Sequence, residues 1–352
     1  MSSTNILSSW FPHTTTPFIA SGPMFFVTTA SLVAAVSDAG GFGFLAGCYD
    51  CSPASGQIRA LSAELTNART LLKIQDPKAP VPVGIGFITV NTDGFLENAM
   101  PVIAAHRPAA IWLFAPKSRA QHASLIPALK TAGAEWNLKV FVQVGTVAAA
   151  REAVEDGVDA LVVQGVDAGG HQWAQGAGIV SLVPEVKDML VREFAGKEIP
   201  ILAAGGIMDG RGVAAALVLG ADGIVMGTRF IATEETATPA AMKERYVASS
   251  DGGVSTIKST VHDDIQGTGF WPSVYNGRAI IGASYQDFVN GVSIEDNIAK
   301  HNNAGEGDLS RKILWAGSGV GLIRSVLSTK DVVIQSQKEA KEILGRINRV
   351  LL

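Results

Sequence analysis

Pro200-Ile-Leu-Ala-Ala-Gly-Gly-Ile207, then Asp209-Gly210, then Gly220-Ala-Asp-Gly-Ile-Val-Met-Gly-Thr-Arg-Phe230 is the stretch that decides the fold. It holds two short apolar runs, 201–204 and 223–226, each ending on a glycine turn. Between them residues 210–219 have helical period, with Asp209 in place as an N-cap. Strand, glycine turn, helix, strand, glycine turn is the unit of a parallel sheet with right-handed crossovers.

The same unit repeats outward toward the N-terminus. Apolar runs at 18–23, 42–46, 83–88, 110–114, 139–144 and 160–164 bring the expected strands to eight. Their nearly continuous apolar character suits strands buried on both faces. Helical segments are expected at 31–39, 55–72, 94–106, 119–132, 147–155 and 183–194, with Ser31, Thr146 and Ser181 as further caps. Eight units favour closure into a (β/α)8 (TIM) barrel over an open doubly wound sheet. The early dinucleotide fingerprint is also missing, because Gly40-Gly41-Phe42-Gly43 precedes a strand instead of following one.

A bare barrel needs about 250 residues, and the chain has 352. Over residues 236–307 helical period weakens, polar and glycine residues rise, and Trp271, Pro272 and Tyr275 appear, which reads as a cap over the barrel mouth. The division expected is a barrel of 1–235 and 308–352 with that cap between. Helical period returns at Leu309, and this tail is expected to supply an eighth helix and a separate terminal helix over 334–350.

Composition narrows the function classes. Hydrophobic residues at 47 % against 17 % charged allow a large buried core. A net charge of -4 gives no footprint for nucleic acid. No apolar run is long enough for a membrane span, the stretch 1–9 lacks the pattern of a secretory signal, and the last three residues are not a peroxisomal tripeptide. The expectation is a cytoplasmic enzyme with a small-molecule substrate; nothing in the chain sets its oligomeric state.

Strand ends at the mouth of such a barrel carry its chemistry, and loops after strands seven and eight often hold a ligand phosphate. Gly205, Gly206, Gly227 and Thr228 fall there. Glycine lets backbone N–H groups approach phosphate oxygens; taken singly, each serves a tight barrel turn equally well. Paired on adjacent strands and followed by Thr228, they favour phosphate. Gln164-Gly-Val-Asp-Ala-Gly-Gly-His171 follows strand six and puts His171 in a mouth loop. There it serves either as an acid–base or anion-orienting group or as a histidine bonded to a backbone carbonyl. Gln143 and Gln164 end strands five and six, as ring-carbonyl donors or as structural amides. Ser21-Gly22-Pro23-Met24 ends strand one, with Met24 as a soft apolar contact. Cys48 and Cys51 are spaced as C-x-x-C, but no second pair exists for zinc, and no metal is expected.

These residues resemble the nitronate monooxygenases, formerly 2-nitropropane dioxygenases, over nearly the whole chain. The most specific parts are Ala168-Gly-Gly-His171, Ala203-Ala-Gly-Gly-Ile207 and Gly223-Ile-Val-Met-Gly-Thr-Arg-Phe230, with Trp271-Pro-Ser-Val-Tyr-Asn-Gly-Arg278 and Trp315-Ala-Gly-Ser-Gly-Val-Gly321 in support. The resemblance implies FMN as cofactor, His171 as the catalytic residue and Gly205, Gly206, Gly227 and Thr228 on the phosphate, with Gln164, Gly169 and Met24 along the flavin. It implies oxidation of alkyl nitronates, or nitroalkanes, with O2 to a carbonyl compound and nitrite. The chain departs from the family pattern at Ser21-Gly22, Trp173 and Ser318. Alternatives are a flavin-dependent enoyl-thioester reductase, a flavoenzyme of secondary metabolism, or a flavin-binding module without turnover.

Overall fold

A computed structural model describes residues 6–305 and 307–351. The N-terminal stretch and the terminal tripeptide discussed above therefore lie partly outside the described residues. Eight parallel strands form the wall: β1 (Phe18–Ser21), β2 (Phe44–Ala46), β3 (Val81–Ile88), β4 (Pro108–Phe114), β5 (Lys139–Val144), β6 (Ala160–Gln164), β8 (Ile201–Ala204) and β9 (Gly223–Met226). Their order is β1-β9-β8-β6-β5-β4-β3-β2. Phe42 closes the ring onto β1: its N–H donates to Ile19 O at 2.9 Å, and Ser21 N–H donates to Phe42 O at 3.0 Å. The intervening β7 (Gly170–Trp173) belongs to a second sheet, in which β11 (Tyr275–Ile280) pairs antiparallel with β7 and with β10 (Thr256–Ser259).

Strand alternation builds two cores. Phe18, Phe44, Trp112, Phe141, Val162, Leu202 and Val225 point inward and fill the barrel, whose interior is packed rather than open. Their neighbours Ile19, Leu45, Ile111, Val140, Leu161, Ile201 and Ile224 point outward and meet the helices. Phe11, beside the short helix Ile6–Trp10, plugs the inner core, its ring 4.2 Å from that of Phe42.

The helices over 119–132 and 147–155 fall as the sequence predicts, and Thr146 and Asp209 cap as expected. Four details differ. Thr29, not Ser31, caps Ala30–Asp38, accepting from Leu32 N–H. Gly178, not Ser181, precedes Ile179–Glu193; the extra turn lets Leu182 and Val183 enter the core. Residues 94–106 split into a π turn, Phe95–Ala99, and the helix Met100–His106, because Pro101 has no N–H for the regular ladder. The expected eighth and terminal helices are one: Thr329–Leu351 packs on Gly210–Val218 and Ala30–Asp38. The glycine-rich run 317–321 before it carries only a 3-10 turn, Ser318–Leu322. Among the described residues, no helix is long and apolar enough to cross a membrane.

Candidate active site

The turns after β6 and β8 touch at one end of the barrel, and Gly317-Ser318 ties the first of them to the turn after β9. Gly205 has φ +106°, and a Cβ there would lie 2.7 Å from Gly165 O, so this turn excludes any side chain. Gly206 follows at φ +74°. Among the described residues, the backbone N–H groups of Gly205, Gly206, Gly227 and Thr228 have no acceptor within the protein. Unpaired N–H groups at adjacent strand ends are costly unless something else accepts from them. A Cβ built on Gly227 would meet nothing nearer than Met24 Sδ at 3.8 Å, so the space in front of this glycine is free. Four donors without a protein acceptor, on the turns after β8 and β9 and with free space at Gly227, fit a ligand phosphate.

Thr228 is used differently from the expectation. Its hydroxyl oxygen accepts from Gly317 N–H at 3.0 Å, which leaves the hydroxyl proton and the backbone N–H for a ligand. The same late segment is tied to the turn after β6. Ser318 N–H donates to Asp167 O at 3.0 Å, and its hydroxyl donates to the Asp167 carboxylate at 2.8 Å. Gly169 serves this junction: a Cβ on it would sit 2.4 Å from Gly317 N. Its lack of a side chain is thus required by the protein's own backbone. Arg229, whose guanidinium burial pushes below its ordinary range, fastens the segment further on through Ser325 O at 3.1 Å.

His171 stands on a strand, not in a loop. On β7 it lies opposite Gly277 of β11, and the missing side chain at 277 makes room for the Trp315 ring. Trp315 packs against the imidazole at 4.8 Å between ring centroids. Trp271 stacks on it at 3.7 Å and 10° between planes. His171 Nε2 lies 2.8 Å from Asp263 Oδ1, which also accepts from the Thr268 hydroxyl at 2.8 Å. Asp263 is 4 % exposed. Neither Asp263 nor the stacking role of the two tryptophans was visible in the sequence. Asp263 lies 92 residues from His171, and its only local mark is the polar run His262-Asp263-Asp264.

The glutamines form a relay across the top of the inner core. Trp112 Nε1–H donates to Gln143 Oε1 at 3.2 Å, Gln143 Nε2 donates to Gln164 Oε1 at 2.6 Å, and Gln164 Nε2 reaches His171 O at 3.5 Å. Each amide Nε2 donates once in this relay, so each glutamine keeps one amide proton free. Trp173 packs with Phe114 and Tyr275 over this layer, at 5.8 and 5.0 Å between centroids. Cys48 and Cys51 are buried with their sulfurs 2.7 Å apart. The hydrogen bond with the Cys51 thiol, and then burial, push Cys48 up, which suits an unreactive pair.

Fold and site together define a barrel enzyme of the flavin oxidoreductase type. The architecture matches FabK from Thermotoga maritima at a TM-score of 0.75, with 25 % identity, 99 % of this chain and 100 % of that one covered. It also matches a nitroalkane oxidase from Streptomyces ansochromogenes at 0.72, with 23 % identity over 96 % and 99 % of the two chains. Residues 100–339 match the nitronate monooxygenase family model. The chain is 44 % identical to a nitronate monooxygenase of Neurospora crassa over 97 % of its length and 93 % of that protein's. It is 36 % identical to nitronate monooxygenase npaC of Metarhizium robertsii, over 97 % and 96 %. The chain belongs to the nitronate monooxygenase family, whose members imply a flavin cofactor.

Proposed function

We propose that the protein binds FMN and oxidises alkyl nitronates with O2 to a carbonyl compound and nitrite. One observation carries the cofactor assignment: the N–H groups of Gly205, Gly206, Gly227 and Thr228 lack a protein acceptor, and the space in front of Gly227 is free. One phosphate matches that cradle, and FMN carries one. Gln164 and Met24 border the flavin in this reading, and Gly169 keeps the wall beside it thin. Bound flavin supplies the redox chemistry, taking electrons from the substrate and passing them to oxygen.

The protein's own residues bind and orient. Trp271, Trp315 and Trp173 exclude water from the mouth, which strengthens every electrostatic contact inside it. His171 is the catalytic residue. Toward a nitronate, already an anion, it donates a hydrogen bond or presents charge; toward a neutral nitroalkane it takes the α-proton. The segment 236–307 acts as a cap, since it delivers Asp263 and Trp271 to this histidine.

The test is to release the flavin from purified protein for mass analysis and to assay nitrite from a short alkyl nitronate in air. FMN with nitrite formation supports the reading. FAD would overturn the single-phosphate assignment. Bleaching by NADH or NADPH together with indifference to nitronate would favour the enoyl-thioester reductase.

A further inference from the structure

His171 has two ring nitrogens, and the structure distinguishes them. Nε2 faces the Asp263 carboxylate at 2.8 Å, while among the described residues Nδ1 has no hydrogen-bond partner. An ionised carboxylate only accepts, so a neutral imidazole in this place must carry its proton on Nε2. That leaves the lone pair on Nδ1. Thr268 steadies the same Asp263 oxygen, and the two tryptophans fix the plane of the ring.

Other charged groups around β7 are committed elsewhere. Arg278 donates to Val166 O and to Thr256 Oγ1, and Lys258 donates to Trp173 O and Ala174 O. Asp264 is exposed. The adjacent His262 is buried, and burial lowers it from its ordinary range, so it stays neutral. Asp263 is therefore the anion that acts on the His171 ring.

We infer that Asp263 is the positioning residue for His171, fixing the neutral Nε2–H tautomer so that Nδ1 is the nitrogen that accepts a proton. The inference rests on the reading above that His171 serves a nitro substrate. In the step it supports, the α C–H bond of a nitroalkane breaks and its electron pair moves into the nitro group, giving the nitronate. An N–H bond forms at Nδ1, and the resulting imidazolium faces the Asp263 carboxylate. No oxidant enters this step. A nitronate substrate bypasses it.

The experiment compares the wild-type holoenzyme with Asp263→Asn and Asp263→Glu. For Asp263→Asn, kcat/KM on a neutral nitroalkane is expected to fall by at least about 100-fold, the scale of a lost general base. Turnover of the matching nitronate is expected to fall much less, and Asp263→Glu to recover part of the loss. Equal losses on both substrates would overturn the inference and leave Asp263 merely structural.

A second measurement does not depend on turnover. Nitrogen-15 NMR of histidine-labelled protein, with the His171 signal assigned by the His171→Asn variant, is expected to show the Nε2–H tautomer in the wild type. Asp263→Asn should mix the two tautomers. A wild-type ring in the Nδ1–H form, or one that Asp263→Asn leaves unaltered, refutes the inference even if the enzyme ignores nitro compounds. That indifference alone would refute only the proposed function. Should Asp263→Asn fail to fold, Thr268→Val is expected to shift the same tautomer signal by a smaller amount, and no shift would count against the inference.

Discussion

The barrel wall and the segment that follows it reach order by different routes. In the wall, each strand supplies an inward residue such as Phe141 and an outward one such as Val140, and each packs with its like from the neighbouring strands. In residues 236–328 the helices are short, and a small core around Tyr246, Ile280, Leu314, Val320 and Ile323 is supplemented by single polar ties: Tyr246 Oη to Trp315 O, Arg229 to Ser325 O, Gly317 N–H to Thr228. On the function proposed above, the wall holds the cofactor. The later segment provides the groups that touch His171. Stability should thus depend on the first region and catalysis on contacts between the two.

The largest expected effect tests where catalysis lies. His171→Asn should retain flavin, read from visible absorbance, and lose about 100- to 10,000-fold in nitroalkane turnover. Nitronate turnover should fall less. Intact nitroalkane turnover would remove His171 from the catalytic assignment.

The next contrast is in stability. Phe141→Ala empties a fully buried place inside the barrel and should cost about 3–5 kcal/mol in a denaturant titration. Phe288→Ala, in the later segment and 47 % exposed, should stay within about 0.5 kcal/mol. Similar losses would mean that the two regions share one core.

Acid sensitivity should also belong to the wall. His122 is buried, and its Nε2–H donates to Thr89 Oγ1, because the Thr89 hydroxyl proton is already given to Phe114 O. Burial pushes His122 down to about 3 from an ordinary 6.5. The unfolded chain therefore binds a proton that the folded one refuses. The stability involved is complete above about pH 6.5 and is lost as pH falls toward about 3. His122→Gln should flatten stability against pH in that window by up to about 1.4 kcal/mol per pH unit. An unaltered slope would mean that the ring is not held neutral.

The smallest effect separates two glycines. Gly227→Ala has room for its methyl group and should change stability by less than about 1 kcal/mol while weakening flavin retention in dialysis. Gly205→Ala meets Gly165 O and a left-handed backbone, and should cost about 1–3 kcal/mol in addition. If Gly227→Ala held flavin as firmly as the wild type, the phosphate would lie elsewhere.

The same contrast explains what could be read from sequence. Strands such as Lys139–Val144 and Ala160–Gln164 were legible to the residue, because burial on both faces leaves a continuous apolar run. The glycine turn after β8 was legible because its positive φ excludes most other residues, whereas Gly227 after β9 has room for a side chain. The β7 strand was not: Gly170-His-Gln-Trp173 has little strand character and pairs only because Tyr275–Ile280 lies beside it. Asp263 was hidden for the same reason, since its meaning comes from a partner 92 residues away. The tail misled through Gly317–Gly321, which looks like a break between two helices but is a clamp on Asp167 and Thr228 before one long helix.

The central claim is that the glycine turns after β8 and β9 hold a flavin beside His171, where nitronates are oxidised. Anaerobic mixing of the purified protein with a short alkyl nitronate, followed by visible absorbance, tests it most directly. The account predicts rapid loss of the oxidised-flavin bands, their return when air is admitted, and nitrite in step with that return. A colourless protein that cannot be loaded with FMN, or flavin bands that nitronate leaves untouched, would contradict it.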